Sequence, residues 1–355
     1  MTAYVLVFLI LLVGGSLSLI ENERARRSAY AVYLCFAIPI LLVFAGLRGP
    51  NVDADYGLYD SWFNGIVKGT LEENPFLKDP SFAILSFGLN SVGLGIAALI
   101  AIYSTICLAM QLSFIRQAVA LRWLPLGVFL VLCRFFIGHE MTQIRTAVAI
   151  PLMSMAVLQF HARNKLYGSL LLLVAVSFHF SAILALPICL AAAFGIKFES
   201  RRWLAGLAIL ALLGYVAFSR ISLLLAVFVR TKDYVTGAYE TTDISLLSVY
   251  LLCRVALVAF AGIVLWKRLD PYERLLVICS SSGVMIEIAL ASNNALAIRG
   301  GEIFGMFDVA SALMIISYLR RRTAVIYVLF LLCLGGVFFR SSTKIIQPYA
   351  SRLEI

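Results

Sequence analysis

The sequence predicts an all-α protein, a polytopic integral membrane bundle of about twelve transmembrane helices. Three observations predict it. Of 355 residues, 62% are hydrophobic and 14% are charged, and the mean hydropathy is +0.97; soluble domains run near one quarter charged. That much apolar surface cannot be hidden in water, so lipid is the solvent. The apolar residues also fall in runs of roughly 20 between polar breaks, the length that crosses a bilayer. Alternate breaks are basic, as the positive-inside rule requires.

From the N-terminus, the runs cover 3–20, 29–47, 93–115, 122–138, 140–160, 166–178, 180–196, 203–229, 246–266, 274–291, 302–319 and 323–339. The breaks near 139 and 179 are weak, so the count lies between ten and thirteen. The first run has no basic residue before it and no clear small-residue cleavage site, and reads as a retained span with its N-terminus outside. That orientation makes the cytoplasmic loops ENERARR (21–27), RQAVALR (116–122), HARNK (161–165), KFESRR (197–202), KRLDPYER (267–274) and RRR (320–322). They hold 16 of the 29 Lys and Arg against five acids, and the rest of the chain is net −1. The formal charge of +10 is therefore a topology signal, and no nucleic-acid partner is predicted.

The whole chain, 1–355, reads as a single transmembrane domain. Three polar segments fall outside: 48–80, 230–245 and the tail 340–355. Residues 79–93 (DPSFAILSFGLNSVG) are too broken by Gly, Ser and Asn for a span and read as a short interfacial or re-entrant helix. All seven cysteines lie inside the runs, with no CxxC and no Cys/His zinc spacing. No metal site and no cofactor is predicted, and neither a P-loop nor a dinucleotide glycine motif is present.

Charge that membrane topology does not need marks candidate function, because ionisable groups at membrane depth are costly. Arg48, Arg134, Arg145 and Arg299 fall near the outer face, while Arg220 and Arg254 lie inside runs. The planar arginine fork suits phosphate, so the outer four fit a lipid-linked phosphate or pyrophosphate. The plain alternative is snorkelling, or pairing with acids such as Glu287, Glu302 and Asp308. Segment 44–63 combines Arg48, Asp53, Asp55 and Asp60 with Tyr56, Tyr59, Trp62 and Phe63. Carboxylates accept from sugar hydroxyls and rings cover sugar C–H faces; an interfacial aromatic belt is the plain reading. A Ca²⁺ loop fits worse, since the later Glu of an EF-hand loop is missing. His139 and His179 fall near the outer face, where a neutral imidazole can take a proton from a sugar hydroxyl, and Glu140 is a second base candidate. Helical spacing puts His139, Gln143 and Thr146 on similar faces, while Gln143 and Arg145 diverge by roughly 200° on an ideal helix.

These segments resemble the EpsG/Wzy-like family of bacterial polysaccharide polymerases. The resemblance rests on LRGPNVDADYGLY (47–59), QIRTAVAIPLM (143–153), SFHFSAILALP (177–187), AIRGGEIFGMFD (297–308) and a closing PY (348–349), in the family's order over most of the chain. Family members commonly carry a Gly and then one Asp before the first Tyr; residues 51–55 (NVDAD) depart from that. The resemblance implies a polytopic, GT-C-like, lipid-phosphate-dependent glycosyltransferase at the outer face of the bacterial inner membrane. Its donor and acceptor would be oligosaccharides on undecaprenyl pyrophosphate, with membrane lipid around it and a chain-length regulator as a further candidate partner. Arg48, Arg145, Arg299 and Arg134 would bind pyrophosphate. His179, or else His139 or Glu140, would act as base alongside Arg145. Asp53, Asp55, Tyr56, Tyr59, Gln143 and Glu302 would hold sugar.

The competing class is a flippase or transporter of lipid-linked oligosaccharide. Transporters often carry internal repeats and charge near the midplane; neither pattern is present here. An O-antigen ligase would carry a larger outward loop than 48–80. A sugar acyltransferase would place its reactive His on the cytoplasmic side.

Overall fold

The computed structural model describes residues 2–53, 55–71, 74–225, 248–343 and 346–350, and every regular element among them is a helix. In chain order these are α1 (Thr2–Ser16), α2 (Glu23–Gly46), α3 (Tyr56–Lys68), α4 (Pro75–Lys78), α5 (Pro80–Ser91), α6 (Ile96–Ala118), α7 (Leu124–Phe135), α8 (Ile144–His161), α9 (Lys165–Phe178), α10 (Leu186–Ala193), α11 (Arg202–Leu225), α12 (Val249–Ala259), α13 (Pro271–Ala289), α14 (Asn294–Glu302), α15 (Gly305–Ile316) and α16 (Arg321–Ser342). Most described residues of the expected runs are helical, although residues 93–95, Gln143 and residues 194–196 are not. Among the described residues, six helical segments are long and apolar enough to cross a membrane: Thr2–Leu19, Glu23–Gly46, Ile96–Ala118, Leu121–Glu140, Ile144–His161 and Arg321–Ser342. Five further apolar helices are shorter, at 10–17 residues. The chain is an integral membrane protein on this ground, and large apolar side chains such as Phe36, Leu166 and Leu173 stand exposed as lipid-facing residues do. The expected loop 230–245 lies outside the described residues.

The chain divides into two compact units, Met1–Gln159 with Lys165–Ala185 and Leu319–Ile355, and Phe160–Asn164 with Leu186–Tyr318. In the first unit α7 packs on α1 and α16, and α2 packs on α6. Phe129 of α7 sets that spacing. A Cβ on Gly15 would lie 2.7 Å from its ring, and one on Gly335 would fall inside contact with the same ring. Two glycines thus let three helices close around one phenylalanine. Helices α3 and α4 pack on α5, which in turn meets α6 and α9.

In the second unit α13 is the hub, packed on α11, α12, α14 and α15. Its start is legible in the sequence DPYE. The Asp270 carboxylate accepts from the Glu273 backbone N–H at 2.8 Å, and the Glu273 carboxylate accepts from that of Asp270 at 2.9 Å, with Pro271 in the first turn.

The expected polar segment 48–80 contains α3, whose Tyr56, Tyr59, Phe63 and Ile66 are buried at helical spacing while Gly57, Leu58, Ser61 and Asn64 face outward. One local expectation is corrected: beyond α7, Phe136–Thr142 winds as a π-helix, and Gln143 leaves the helical region at φ −92°, ψ 57°. The α-helical face proposed for His139, Gln143 and Thr146 therefore does not hold, because the wider π turn shifts each side chain's bearing.

Candidate functional site

Two clusters of buried charge in the first unit are joined by α3. The first forms where α2 ends. Arg48 is fully buried; its Nε donates to Asp53 at 2.7 Å and its Nη1 to the Ala45 carbonyl at 2.7 Å. The other Asp53 oxygen accepts from the backbone N–H of Asp55 (3.0 Å) and Tyr56 (2.8 Å), which starts α3. Burial pushes the Asp53 carboxyl up from its usual range, against the opposing pull of Arg48 and the Asp55 N–H. The Arg48 guanidinium lies 5.9 Å from the centre of the Tyr56 ring. Arg48 and Asp53, expected to bind pyrophosphate and sugar, are thus turned toward each other. Asp55 stands at the N-cap position of α3, half-buried.

The second cluster forms where α3, α5, α6 and α8 meet. Arg145, in the first turn of α8, forms a salt bridge with Asp79; their side chains are 20% and 8% exposed. Its guanidinium lies 4.8 Å from the Trp62 ring centre and 5.5 Å from that of Tyr59, within cation–π range. Its Nε finds no acceptor, and neither does the Gln143 carbonyl oxygen a donor. Asp79 occupies the N-cap of α5 but makes no cap bond, giving its carboxylate to Arg145 instead. Behind this pair, Trp62 stacks on Phe82 at 5.0 Å, and Ser81 bonds the Tyr103 hydroxyl at 3.1 Å. The Tyr103 ring meets Phe178 edge-on at 5.3 Å.

His179 is the residue after Phe178. His179 is half-buried where α9 stops. Its Nδ1 lies 2.5 Å from the Ser181 hydroxyl, and the Ser181 backbone N–H points at the same nitrogen from 3.3 Å. His139 and Glu140 sit deeper, in the π-helical stretch. His139 is buried against the Phe135 ring at 5.2 Å. Glu140 is fully buried facing Gln111 and Cys107, and among the described residues it is the buried carboxylate with no cation beside it. A buried anion with no counter-charge is costly. Arg134 is buried between the Phe135 and Phe338 rings, at 5.1 and 5.8 Å.

The remaining expected residues, Arg299 and Glu302, lie half-buried on α14 in the second unit. That segment is anchored by Arg254. Arg254 Nε donates to Asp308 at 2.8 Å, Nη1 pairs with Glu287, and Nη2 donates to the Gly301 carbonyl at 3.1 Å. Ser280 donates to the other Asp308 oxygen. Gly283 lets α13 approach, since a Cβ there would stand 2.8 Å from the Gly301 oxygen. The side chain of Arg220 lies outside the described residues. Among the described residues no group of three or more His, Cys, Asp or Glu converges as a metal would need.

Sequence reading finds Arg145, Tyr59 and His179 but misses Asp79 and Tyr103. Asp79 opens the segment 79–93, read only as a short interfacial or re-entrant helix. Its partner lies 66 residues on, so no local pattern marks the pair.

Helices long and apolar enough to span a membrane, with buried arginine–carboxylate pairs within each unit, define an integral membrane protein. A family model matches residues 31–351, and the chain belongs to the EpsG family. Comparison with curated proteins finds no match, and comparison with solved structures finds none.

Proposed function

We propose that the protein is a polysaccharide polymerase: a glycosyltransferase that joins repeat units carried on undecaprenyl pyrophosphate at the outer face of the bacterial inner membrane. Membership of the EpsG family supports the class. The observation that carries the site is Arg145, held by Asp79 and the Tyr59 and Trp62 rings, yet still partly exposed and with its Nε unmatched. A guanidinium fixed in advance is suited to charge that develops on a departing phosphate. Its place in the first turn of α8 adds the helix dipole to the same task.

In this reaction the acceptor hydroxyl oxygen attacks the anomeric carbon of the donor sugar. The new C–O bond forms as the bond to pyrophosphate breaks, and the pyrophosphate leaves with the electron pair toward Arg145. The hydroxyl proton goes to His179, the most accessible of the three base candidates. Ser181, through its hydroxyl and its backbone N–H, fixes the bearing of the imidazole at Nδ1. Trp62, Tyr59 and Gln143 line the sugar's approach.

Removing the gene from its host and examining the lipid-linked glycans tests this. The expected outcome is accumulation of single repeat units exposed on the outer face with loss of long polymer. Units trapped on the cytoplasmic face would mean a flippase and overturn the reading.

A further inference from the structure

The paired Pro348 and Tyr349 have no part in the reaction above, yet the structure ties them tightly to it. Segment 346–350 lies along the 49–52 loop in antiparallel fashion. Gly49 donates its backbone N–H to the Ala350 carbonyl at 2.8 Å, and Gln347 donates to the Val52 carbonyl at 3.0 Å. Two hydroxyls fasten the crossing: Tyr349 donates to the Phe44 carbonyl at 2.9 Å, and Tyr4 donates to the Gln347 carbonyl at 3.0 Å. The Tyr349 ring stacks on Phe44 at 4.1 Å and 20°, and meets Tyr4 edge-on at 6.1 Å. Three elements far apart in sequence thus close on a loop of a few residues.

That loop carries Arg48 and Asp53, and Asp53 starts α3 through two backbone bonds. One turn into α3 come Tyr59 and Trp62, whose rings lie over Arg145. The path from Tyr349 to Arg145 is therefore a chain of direct contacts within one compact unit. We infer that residues 346–350 are a strap that positions the 48–53 loop, and through it α3, against Arg145, with Tyr349 as the positioning residue. The inference rests on the role proposed for Arg145 in transfer. A strap of this kind touches no substrate; it fixes where the aromatic wall of the site stands, and displacements near 1 Å are enough to lower turnover by about 100-fold.

The test compares Tyr349→Ala, Tyr349→Phe and Tyr4→Phe with Arg145→Ala in the full chain reconstituted in lipid nanodiscs. Chain extension of an undecaprenyl-pyrophosphate repeat unit and amide hydrogen exchange are both read. Tyr349→Ala is expected to lower kcat about 100-fold with little change in KM, and to speed exchange over residues 49–59. Tyr349→Phe keeps the stacked ring and is expected to restore most of the turnover. Tyr4→Phe removes one donor and shifts exchange in the same direction more weakly, which serves if the alanine variant does not accumulate. Wild-type exchange at 49–59 in both Tyr349→Ala and Tyr4→Phe would overturn the strap. Full activity in Arg145→Ala would overturn the site reading instead, and the exchange data would still decide whether the strap holds the loop.

Discussion

Asp79 and Arg145 stand 66 residues apart in the chain and form a salt bridge beneath the Tyr59 and Trp62 rings. Neither side chain is idle in its own helix: Asp79 leaves the start of α5 uncapped to reach Arg145. This pair separates two roles for a buried arginine, structural counter-ion and anion receptor, because the two respond differently to substitution.

Asp79→Ala removes the carboxylate that orients Arg145. The pair is mostly buried, so the loss costs up to about 3 kcal/mol, less than for a fully enclosed pair. Exchanging the two residues, Asp79→Arg with Arg145→Asp, is expected to recover thermal stability because the pair re-forms. Chain extension is expected to stay lost, because the cation has moved to α5. Stability by fluorescence-detected size exclusion and polymer length on gels check the two halves of that statement.

Arg254→Ala leaves Glu287 and Asp308 buried without their cation, a change worth about 3–5 kcal/mol. The variant is expected to be depleted from membranes. Arg254→Lys is expected to rescue it poorly, since an ammonium cannot reproduce the planar three-way contact with Asp308, Glu287 and the Gly301 carbonyl. Protein level in isolated membranes and the unfolding midpoint are the readouts.

Gly283→Ala would push a methyl to 2.8 Å from the Gly301 oxygen and 2.9 Å from Arg254 Nη2. The cost expected for such overpacking is about 1–3 kcal/mol. It is expected to loosen the α14 segment that carries Arg299 and Glu302, measured as faster exchange over 297–303.

Gly15→Ala and Gly335→Ala are each expected to destabilise the first unit by about 1–3 kcal/mol through collision with Phe129. A smaller residue at the shared contact, Phe129→Leu, is expected to suppress both. Thermal midpoints of the single and double variants check this, and additive losses would refute the shared-ring explanation.

The helices of this protein were largely legible in sequence because burial in lipid leaves a strong apolar period. The expected runs are mostly helical where they are described, and charge alone offers Glu287 and Asp308, with Glu302, as partners for the buried arginines without assigning them to Arg254. Helix α3 was hidden by its outward polar residues, although Tyr56, Tyr59, Phe63 and Ile66 carry the helical spacing. The π-helical turn at 136–142 has no counterpart in apolar periodicity, so faces assigned across it by α-helical spacing fail. Pairings set by tertiary approach, Asp79 with Arg145 and Gln347 with Val52, leave no local trace. The acids and arginines can be read one by one, but which of them neutralise each other, as Arg48 and Asp53 do, depends on the fold.

The central claim is that Arg145 receives the departing pyrophosphate. Single-turnover extension by the reconstituted protein, comparing wild type with Arg145→Lys and Arg145→Ala on a synthetic undecaprenyl-pyrophosphate repeat unit, tests it most directly. The account predicts release of undecaprenyl pyrophosphate and a longer glycan from wild type. It predicts partial extension from the lysine variant and a loss of about 100-fold or more per folded molecule from the alanine variant, which also lowers the thermal midpoint because Asp79 is left unpaired. Wild-type turnover by Arg145→Ala would contradict it.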